Sequence, residues 1–405
     1  MNSSRLVAWI VWTIASIFYA YQYILRVMPN IMLGDIMQQF GMDTATMGQF
    51  SGIYYIGYSL MHLPIGIMLD RYGPKKVIPA CILLSVAGLL PLIYTDYWLY
   101  PIIGRLMIGM GSSAAILGVF KIVRMAFNEE RFSRMLSLSV TIGLLGAIYG
   151  GGPLSYMHEV LGYRSVVECF AMVGVVLAGF SFWLIPSMTS TPQTAVIADI
   201  KEVLSNRLVM ATCLCAGLMV GPLEGFADVW GTVFLKQVYG FESVVAATLP
   251  STIFIGMCFG APLLNFIAEK IGSYMITIIV AGTTMAAIFA ALLLLQLTPN
   301  LITINFLIVG ICCAYQILAI YKASTFVSEN VAGLTTALAN MVIMIFGYGF
   351  HTAIGTLIQA TGGPHSSQAL LYGITVIPVA LFIGTLGFIY ILKCERVRQG
   401  QQFSD

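Results

Sequence analysis

Roughly twelve apolar runs of about 20 residues follow one another along this 405-residue chain, each long enough to cross a lipid bilayer as a helix. A lipid-facing barrel would show alternating segments of about ten residues, so these continuous runs exclude it. Charged residues make up only 9% of the chain, against about 25% in soluble domains. The sequence therefore predicts an all-α membrane protein. Its helices should lie near residues 6–28, 46–69, 77–95, 98–120, 136–158, 166–186, 208–237, 244–268, 274–297, 301–326, 334–360 and 369–393.

The composition also limits the partners that we expect. The net charge is only +2 and no basic domain lies outside the runs, so no nucleic-acid partner is expected. All cysteines except Cys394 lie inside apolar runs, which favours small packing residues over a metal site or a disulfide. We expect no metal and no cofactor. The first run has no suitably placed small-residue cleavage site, so it should remain as a helix.

The lysines and arginines between the runs indicate the orientation, because cytoplasmic loops carry an excess of both. A cytoplasmic N-terminus gives that side Arg5, Arg71, Lys75, Lys76, Arg124, Arg131, Arg134, Lys201, Arg207, Lys270, Lys393, Arg396 and Arg398. The other side receives only Arg164 and Lys236, with Arg26 and Arg105 near helix ends. Both termini are therefore predicted to be cytoplasmic.

The longest connection, Pro186–Arg207, is polar and divides the runs into six and six. We predict an N-terminal bundle at 1–186, a cytoplasmic linker at 187–207, a C-terminal bundle at 208–393 and a tail at 394–405. Val196, Ile200 and Val203 share one helical face, which predicts an amphipathic surface helix within the linker.

Two loops indicate that the halves are related. The loop after the second run, in GIMLDRYGPKKV, places Asp70, Arg71 and Gly73 in series. The loop after the eighth run, in NFIAEKIGSYMI, places Glu269, Lys270 and Gly272 in the same series, 199 positions later. Such repeats in membrane transporters enclose a binding site between the halves near mid-membrane.

These residues resemble the signatures of the major facilitator superfamily. GIMLDRYGPKK is similar to its helix 2–3 motif, G-x-x-x-D-R-x-G-R-K/R-x, with Lys75 where arginine is commoner. Gly104-Arg105 followed by Gly109 and Gly111 resembles its helix 4 motif, and Gly162-Tyr163-Arg164 resembles its helix 5–6 turn. The resemblance implies twelve transmembrane helices in two pseudo-symmetric six-helix bundles, and a monomer in the bacterial inner membrane.

Within that superfamily the chain most resembles bacterial nutrient permeases of the phagosomal-transporter and lysosomal-dipeptide-transporter-like kind. The stretches YQYILRVMPNIM, YSLMHLPIGIMLDRYGP and TTALANMVIMIFGYGF carry this weaker likeness. The antiporter motif of helix 5, G-P-x-x-G-G, is incomplete here, because Gly152-Pro153 is followed by LSYM. The departure argues against export.

The resemblance also implies a conformational latch at the helix 2–3 loop. Asp70 would accept hydrogen bonds from the N-terminus of helix 11, near Leu334–Thr336, and close the cytoplasmic side in the outward-facing state. Gly66 would let another helix approach closely. The alternative is that the basic residues of the loop only anchor the helix end. The residues assigned to the latch are Gly66, Asp70, Arg71, Gly73, Lys75, Arg105 and Glu269.

Charged residues inside apolar runs should face a wet cavity or a partner, because each costs at least about 2.5–3.5 kcal/mol at the bilayer centre. They occur on the helices that line the cavity in the resembling fold: Arg26 on helix 1, Arg105, Lys121 and Arg124 on helix 4, Glu224 and Asp228 on helix 7, and Lys322 on helix 10. We expect Arg26 near the outer end of its helix. Lys121 and Lys322 are 201 positions apart and are interpreted as equivalent cations at the cavity floor, or alternatively as cytoplasmic anchors.

Glu224 and Asp228 lie four apart in GPLEGFADVWG and should share a helical face. Two carboxyls held this close can bind and release a proton during transport. The alternative places Asp228 at the wet outer rim and pairs Glu224 with Arg26. His62 and His351 are further candidates for proton coupling, or for simple hydrogen bonding in a gate. The full set of predicted cavity residues is Tyr19, Tyr23, Arg26, Tyr54, Tyr58, Lys121, Glu224, Tyr315, Gln316, Lys322, Asn340 and Tyr348.

These features predict a secondary active transporter that imports a small polar solute together with protons, with an amino acid or short peptide as the solute. An organic-anion or sugar-phosphate transporter, a multidrug exporter and a non-transporting nutrient sensor are the alternatives. An enzyme is not expected, since no nucleophile–base spacing, phosphate loop or metal cluster is apparent.

Overall fold

The computed structural model describes residues 3–127, 129–187 and 197–402, and almost all of these are helical. The α-helices are α1 Ser3–Phe40, α2 Thr44–Tyr72, α3 Pro74–Tyr94, α4 Leu99–Ala126, α5 Glu129–Tyr149, α6 Gly152–Leu161, α7 Tyr163–Leu184, α8 Ile197–Ser205, α9 Arg207–Gly217, α10 Gly231–Tyr239, α11 Ser243–Ile271, α12 Tyr274–Leu294, α13 Pro299–Cys313, α14 Tyr315–Ser324, α15 Glu329–Ala360, α16 Ser367–Ile374 and α17 Val376–Gln402. A π-helical segment, Gly221–Trp230, joins α9 to α10 and is called the π segment.

Within the described residues, eleven stretches are long and apolar enough to cross a membrane, and the pair α5–α6, bent by 42°, makes a twelfth. The predicted fold class is confirmed. The bend follows from the sequence, because Gly150, Gly151 and Gly152 precede Pro153, which cannot donate a backbone hydrogen bond in the first turn of α6. We call α1–α7 the N-terminal half and α9–α17 with the π segment the C-terminal half.

The first helix is much longer than its apolar run. The run near 6–28 stops at Pro29 and Asn30, whereas α1 continues to Phe40. Beyond the run, Met32, Ile36 and Phe40 recur every four residues and are all buried, so one face of the helix still packs on the protein. A hydropathy window averages over all faces and therefore ends the helix too early.

The linker carries a short helix. In α8, Val203 is fully buried against Val209, Cys213 and Ala339 of the C-terminal half. Residues 188–196 of the predicted linker, including Val196, lie outside the described residues.

Glycines at the same relative positions set one helix crossing in each half. A Cβ added at Gly109 of α4 would lie 2.8 Å from the carbonyl carbon of Tyr54 in α2. A Cβ added at Gly310 of α13 would lie 2.8 Å from the carbonyl carbon of Ile253 in α11. Gly310 follows Gly109 by 201 positions, so the two halves repeat this backbone-to-backbone contact.

The two halves meet closely at one end of the molecule. We call this the Asp35 end, and the other, where α2 ends, the Asp70 end. Near the Asp35 end Gly48 of α2 packs on Gly355 of α15, where an added Cβ would be 3.3 Å from its Cα. Toward the Asp70 end of α2, a Cβ added at Gly66 would have nothing within 4 Å among the described residues. The contact between α2 and α15 therefore loosens toward the Asp70 end.

The crossing of α2 and α4 can be tested with two glycine substitutions. Gly109→Ala should lower the free energy of unfolding by about 1–3 kcal/mol, because the new methyl group meets backbone atoms that cannot move aside. Thermal unfolding of purified protein measures the change. Gly179→Ala on α7 is the matched control, because a Cβ there has nothing within 4 Å. Equal midpoints for the two variants would show that the crossing tolerates a methyl group.

Candidate functional site

The site begins at a proline inside α1. Pro29 has no N–H, so the carbonyl of Leu25, four residues earlier, loses its helical donor. Arg105 of α4 replaces it, with Nη1 donating to the Leu25 carbonyl at 2.6 Å and Nη2 donating to the Arg26 carbonyl at 2.5 Å. The guanidinium of Arg105 lies 4.8 Å from the ring centre of Tyr54 and is buried. Arg105 thus fixes the part of α1 that presents Arg26.

Arg26 lies in the middle of the membrane-spanning part of the protein. It was expected near the outer end of its helix, but α1 runs from Ser3 to Phe40 and carries Arg26 well inside it. Its side chain is only 7% exposed. The error in the predicted position follows directly from the underestimated length of α1.

Arg26 forms ion pairs with both acidic residues of the π segment. Its Nε donates to Asp228 Oδ2 at 2.6 Å, and its Nη2 pairs with Glu224 Oε2. Both acidic side chains are 1% exposed. The predicted alternative is therefore right in one part, because Glu224 pairs with Arg26, and wrong in the other, because Asp228 is buried and does not lie at a wet rim. The ion pairs join the N-terminal half to the C-terminal half.

A tyrosine that the sequence analysis did not select completes this cluster. The hydroxyl of Tyr55 on α2 contacts both Glu224 Oε2 and Asp228 Oδ2. The spacing of Tyr54, Tyr58 and His62 drew attention to the neighbouring face of α2, and nothing local marks Tyr55. We call Arg26, Tyr55, Glu224 and Asp228 the central cluster.

Aromatic and polar side chains surround the central cluster. The guanidinium of Arg26 lies 5.2 Å from the ring centre of Tyr23 and 5.3 Å from that of Tyr55. His351 of α15 stacks on Tyr55 at 5.7 Å between ring centres. Neither ring nitrogen of His351, nor Nε2 of the buried Gln316, has a hydrogen-bond partner among the described residues.

A ladder of rings leads from the central cluster along α2. Tyr54 stacks on Tyr58 at 6.2 Å, and Tyr58 lies 5.3 Å from His62. Tyr54 Oη donates to Gln22 Oε1 at 2.7 Å, and Tyr19 packs edge-on against Tyr23 at 5.2 Å.

The remaining predicted cavity residues are more dispersed. Tyr315 Oη donates to the Ala216 carbonyl at 2.6 Å, so its hydroxyl is used between helices of one half. Tyr348 packs against Gly52 at the junction of α15 and α2. Asn340 is half-buried on α15.

The two lysines expected at the cavity floor are paired near the Asp70 end. Lys121 Nζ donates to Asp70 Oδ1 at 2.6 Å within the N-terminal half. Lys322 pairs with Glu395 of α17 within the C-terminal half. The acidic partners are not equivalent by the repeat, since Glu269 occupies the position related to Asp70.

Asp70 is therefore engaged by Lys121 in this conformation. A Cβ added at Gly66 would have nothing within 4 Å, so α2 has no close neighbour there among the described residues. Gly73 has a φ of +77°, which glycine adopts freely and which lets the chain turn between α2 and α3. Lys75 lies over the ring of Phe182 at 5.6 Å, while Arg71 and Glu269 are exposed.

A cavity of about 760 Å³ opens at the Asp35 end between the two halves. Asp35 and His158 on its wall are joined at 2.8 Å, and Lys236 lines it from α10. Asn30 and Thr232 line it one helical turn from Arg26 and Asp228. We call this cavity the vestibule.

Comparison with known proteins identifies relatives of the chain. The family model "Major Facilitator Superfamily" matches residues 15–351. "Nitrite extrusion protein" of Bacillus subtilis is 20% identical over 346 residues, covering 82% of this chain and 84% of the relative. "Probable anion transporter 6" of Oryza sativa is 27% identical over 177 residues, covering 43% of this chain and 41% of the relative.

Solved structures share the fold at low identity. A bacterial homologue of the human lysosomal transporter Spinster, in an inward-facing and occupied conformation, superposes with a TM-score of 0.78 at 15% identity, covering 95% of this chain and 96% of that one. The nucleoside transporter NupG superposes with a TM-score of 0.78 at 14% identity, covering 94% and 99%. At this identity the likeness is one of fold.

The role of Arg105 gives a prediction about stability. Arg105→Leu should lower the unfolding temperature, because it leaves the buried Leu25 carbonyl, which Pro29 deprives of its helical donor, unsatisfied at a cost of about 1–3 kcal/mol. Arg105→Lys should restore part of the loss, because an ammonium group can still reach one carbonyl. Arg124→Leu, at an exposed position of the same helix, is the control. A stable Arg105→Leu protein would mean that water replaces the guanidinium.

Proposed function

The chain belongs to the Major Facilitator Superfamily, and from that premise we propose that it imports a small zwitterionic solute, such as an amino acid or short peptide, together with protons. Membership makes the protein a membrane transporter of a small solute and not an enzyme. The solute class, the proton coupling and the direction of transport are the content of the proposal.

The observation that carries the proposal is the charge pattern across the two halves. The N-terminal half contributes the cation Arg26, and the C-terminal half contributes the carboxylates Glu224 and Asp228. A zwitterion carries the same two charges. Its carboxylate would replace the acidic residues on Arg26, and its ammonium group would replace Arg26 on the acidic residues. The solute would thus bind both halves at once near mid-membrane.

The hydrogen bonding of Tyr55 supports proton coupling. Its single hydroxyl proton can serve only one carboxylate at a time, yet the hydroxyl contacts oxygens of both Glu224 and Asp228. A proton bound to one carboxyl supplies the second hydrogen bond, with the carboxyl donating to the Tyr55 oxygen. Arg26 and Arg105 favour the ionised forms, while the dry surroundings favour the neutral ones, so the cluster can exchange a proton. Glu224 is our first candidate for the carrier and Asp228 the second.

The orientation follows from the distribution of lysine and arginine. We propose that the Asp70 end and both termini face the cytoplasm of a bacterial cell, and that the protein works as a monomer. With the halves in close contact at the Asp35 end, this conformation is then inward-facing. Asp70 would exchange Lys121 for the N-terminus of α15 when the Asp70 end closes.

Transport into liposomes tests the proposal. Labelled amino acids and dipeptides should accumulate in liposomes that hold the purified protein when the outside is more acidic. They should only equilibrate without the pH gradient. Solute accumulation that does not depend on the pH gradient would contradict proton coupling. The absence of transport for every solute would favour a non-transporting sensor.

Substitution of Glu224 separates coupling from binding. Glu224→Gln keeps the size and hydrogen bonding of the side chain but cannot ionise, so gradient-driven uptake should be lost while exchange of solute between two pools persists. Glu242→Gln, at a surface position, should behave like the unchanged protein. If Glu224→Gln still accumulates solute against its gradient, Asp228→Asn is the next variant to measure.

The latch is tested by Asp70→Asn. The neutral amide loses the ion pair with Lys121 and the attraction to the positive end of α15, so transport should slow several-fold while solute binding is retained. Asp96→Asn, in the loop between α3 and α4, serves as the control. Unchanged transport in Asp70→Asn would leave the loop with an anchoring role only.

An organic anion is the second candidate solute. Two relatives are described as a nitrite extrusion protein and a probable anion transporter, and the buried cations Arg26 and Arg105 suit an anion. Nitrite or a phosphate ester should then compete with labelled solute, whereas a zwitterion carrier would ignore them. A multidrug exporter, as the Escherichia coli relative MdtL is described, would instead move cationic dyes outward.

A further inference from the structure

The strongest feature that the proposed function does not use is the position of Asn30 between the two halves. Asn30 lies on α1, four residues beyond Arg26, and is 6% exposed. Its Nδ2 donates to the Ala227 carbonyl at 3.3 Å, and its Oδ1 accepts from the Thr232 backbone N–H at 3.3 Å. Both partners belong to the C-terminal half, so one side chain bridges the halves twice.

The two backbone groups that Asn30 contacts are also related to each other by the hydrogen-bond spacing of the π segment. Gly231 N–H donates to the Phe226 carbonyl, five residues earlier, which is the π-helical spacing. The next pair in that register is Thr232 N–H and the Ala227 carbonyl. Asn30 contacts both of these atoms, with the matching donor and acceptor of its amide. The amide thus stands where the next π-helical hydrogen bond would be.

We infer that Asn30 is the positioning residue that holds the two halves together at the base of the vestibule and at the same time sets the helical register behind Asp228. When the halves separate at the Asp35 end, the amide withdraws and the exposed backbone groups of Ala227 and Thr232 find each other or water. The π segment between Glu224 and Trp230 then changes its backbone pairing. Contact between the halves at the base of the vestibule and the placement of the carboxylates on Arg26 are therefore coupled through one amide side chain.

The inference rests on alternating access but not on the identity of the solute or on proton coupling. The charged groups on the vestibule wall, Asp35, His158, Glu159, Lys236 and His365, are separate from the amide bridge. The Asn30 bridge itself contains no titratable group. It should act at every pH at which the protein is folded.

Thiol reactivity in the vestibule tests the inference. Thr232→Cys keeps the backbone N–H that Asn30 contacts and places a thiol on the vestibule wall, where the native side chain is 9% exposed. The rate at which a maleimide modifies this introduced thiol is measured on purified protein without solute or pH gradient. The same variants without Thr232→Cys give the background from the native cysteines.

Asn30→Leu should raise the modification rate of the introduced thiol roughly tenfold. This factor is the increase in the population with separated halves that is expected when the net free energy of about one hydrogen bond is lost. Asn30→Ala removes the same two hydrogen bonds without adding bulk or charge, so its rate should rise by a similar factor. Gln39→Leu is the matched control, because the Gln39 amide donates to the Leu92 and Thr95 carbonyls within the N-terminal half.

Two outcomes would overturn the inference. One is an unchanged modification rate of the introduced thiol in a monodisperse, folded Asn30→Leu protein. The other is an equal rise with Gln39→Leu, which would indicate general loosening of the helices instead of release of an inter-half bridge. Should Asn30→Leu fail to fold, Asn30→Ala decides between these results, since it adds neither bulk nor charge between the halves.

Discussion

The ion pairs of Arg26 with Glu224 and Asp228 are the interaction on which the rest of this structure depends. A buried charge in a dry interior is strongly unfavourable unless it is paired and hydrogen-bonded. Here the cation belongs to one half of the molecule and the carboxylates to the other. If the halves separated, Arg26 and the two carboxylates would each lose the opposite charge. A solute or a proton would have to replace that charge. Exchange of partners and movement of the halves are therefore linked by electrostatics.

The helices around this cluster depart from regular α-geometry where the charges lie. Pro29 interrupts the hydrogen bonding of α1 just beyond Arg26, and Arg105 supplies a donor for the freed Leu25 carbonyl. In the C-terminal half, the backbone that faces α1 is π-helical, and this π segment carries both carboxylates. Irregular backbone at membrane depth is tolerated where protein groups satisfy it. In this protein, side chains from the facing half supply part of that satisfaction.

Away from the centre, the fold uses small residues to bring backbones together. The contacts of Gly109 with Tyr54 and of Gly310 with Ile253 are separated by 201 positions and repeat the same geometry in each half. The hydrophobic effect does not drive helices together within a lipid bilayer. Close backbone packing therefore contributes more to the association of the helices.

By itself, the sequence determined the number of spans, the repeat of the loops at Asp70 and Glu269, and which apolar runs contain acidic and basic residues. These are local properties: run length, spacing along one helix and the occurrence of charge in an apolar segment. The tertiary structure decided that Arg26 meets both Glu224 and Asp228, that Tyr55 and Asn30 complete the junction, and that Lys121 pairs with Asp70. Those pairings depend on how far each helix extends and how it is rotated about its own axis. Both are set by packing against helices distant in the chain, which no local pattern of residues records.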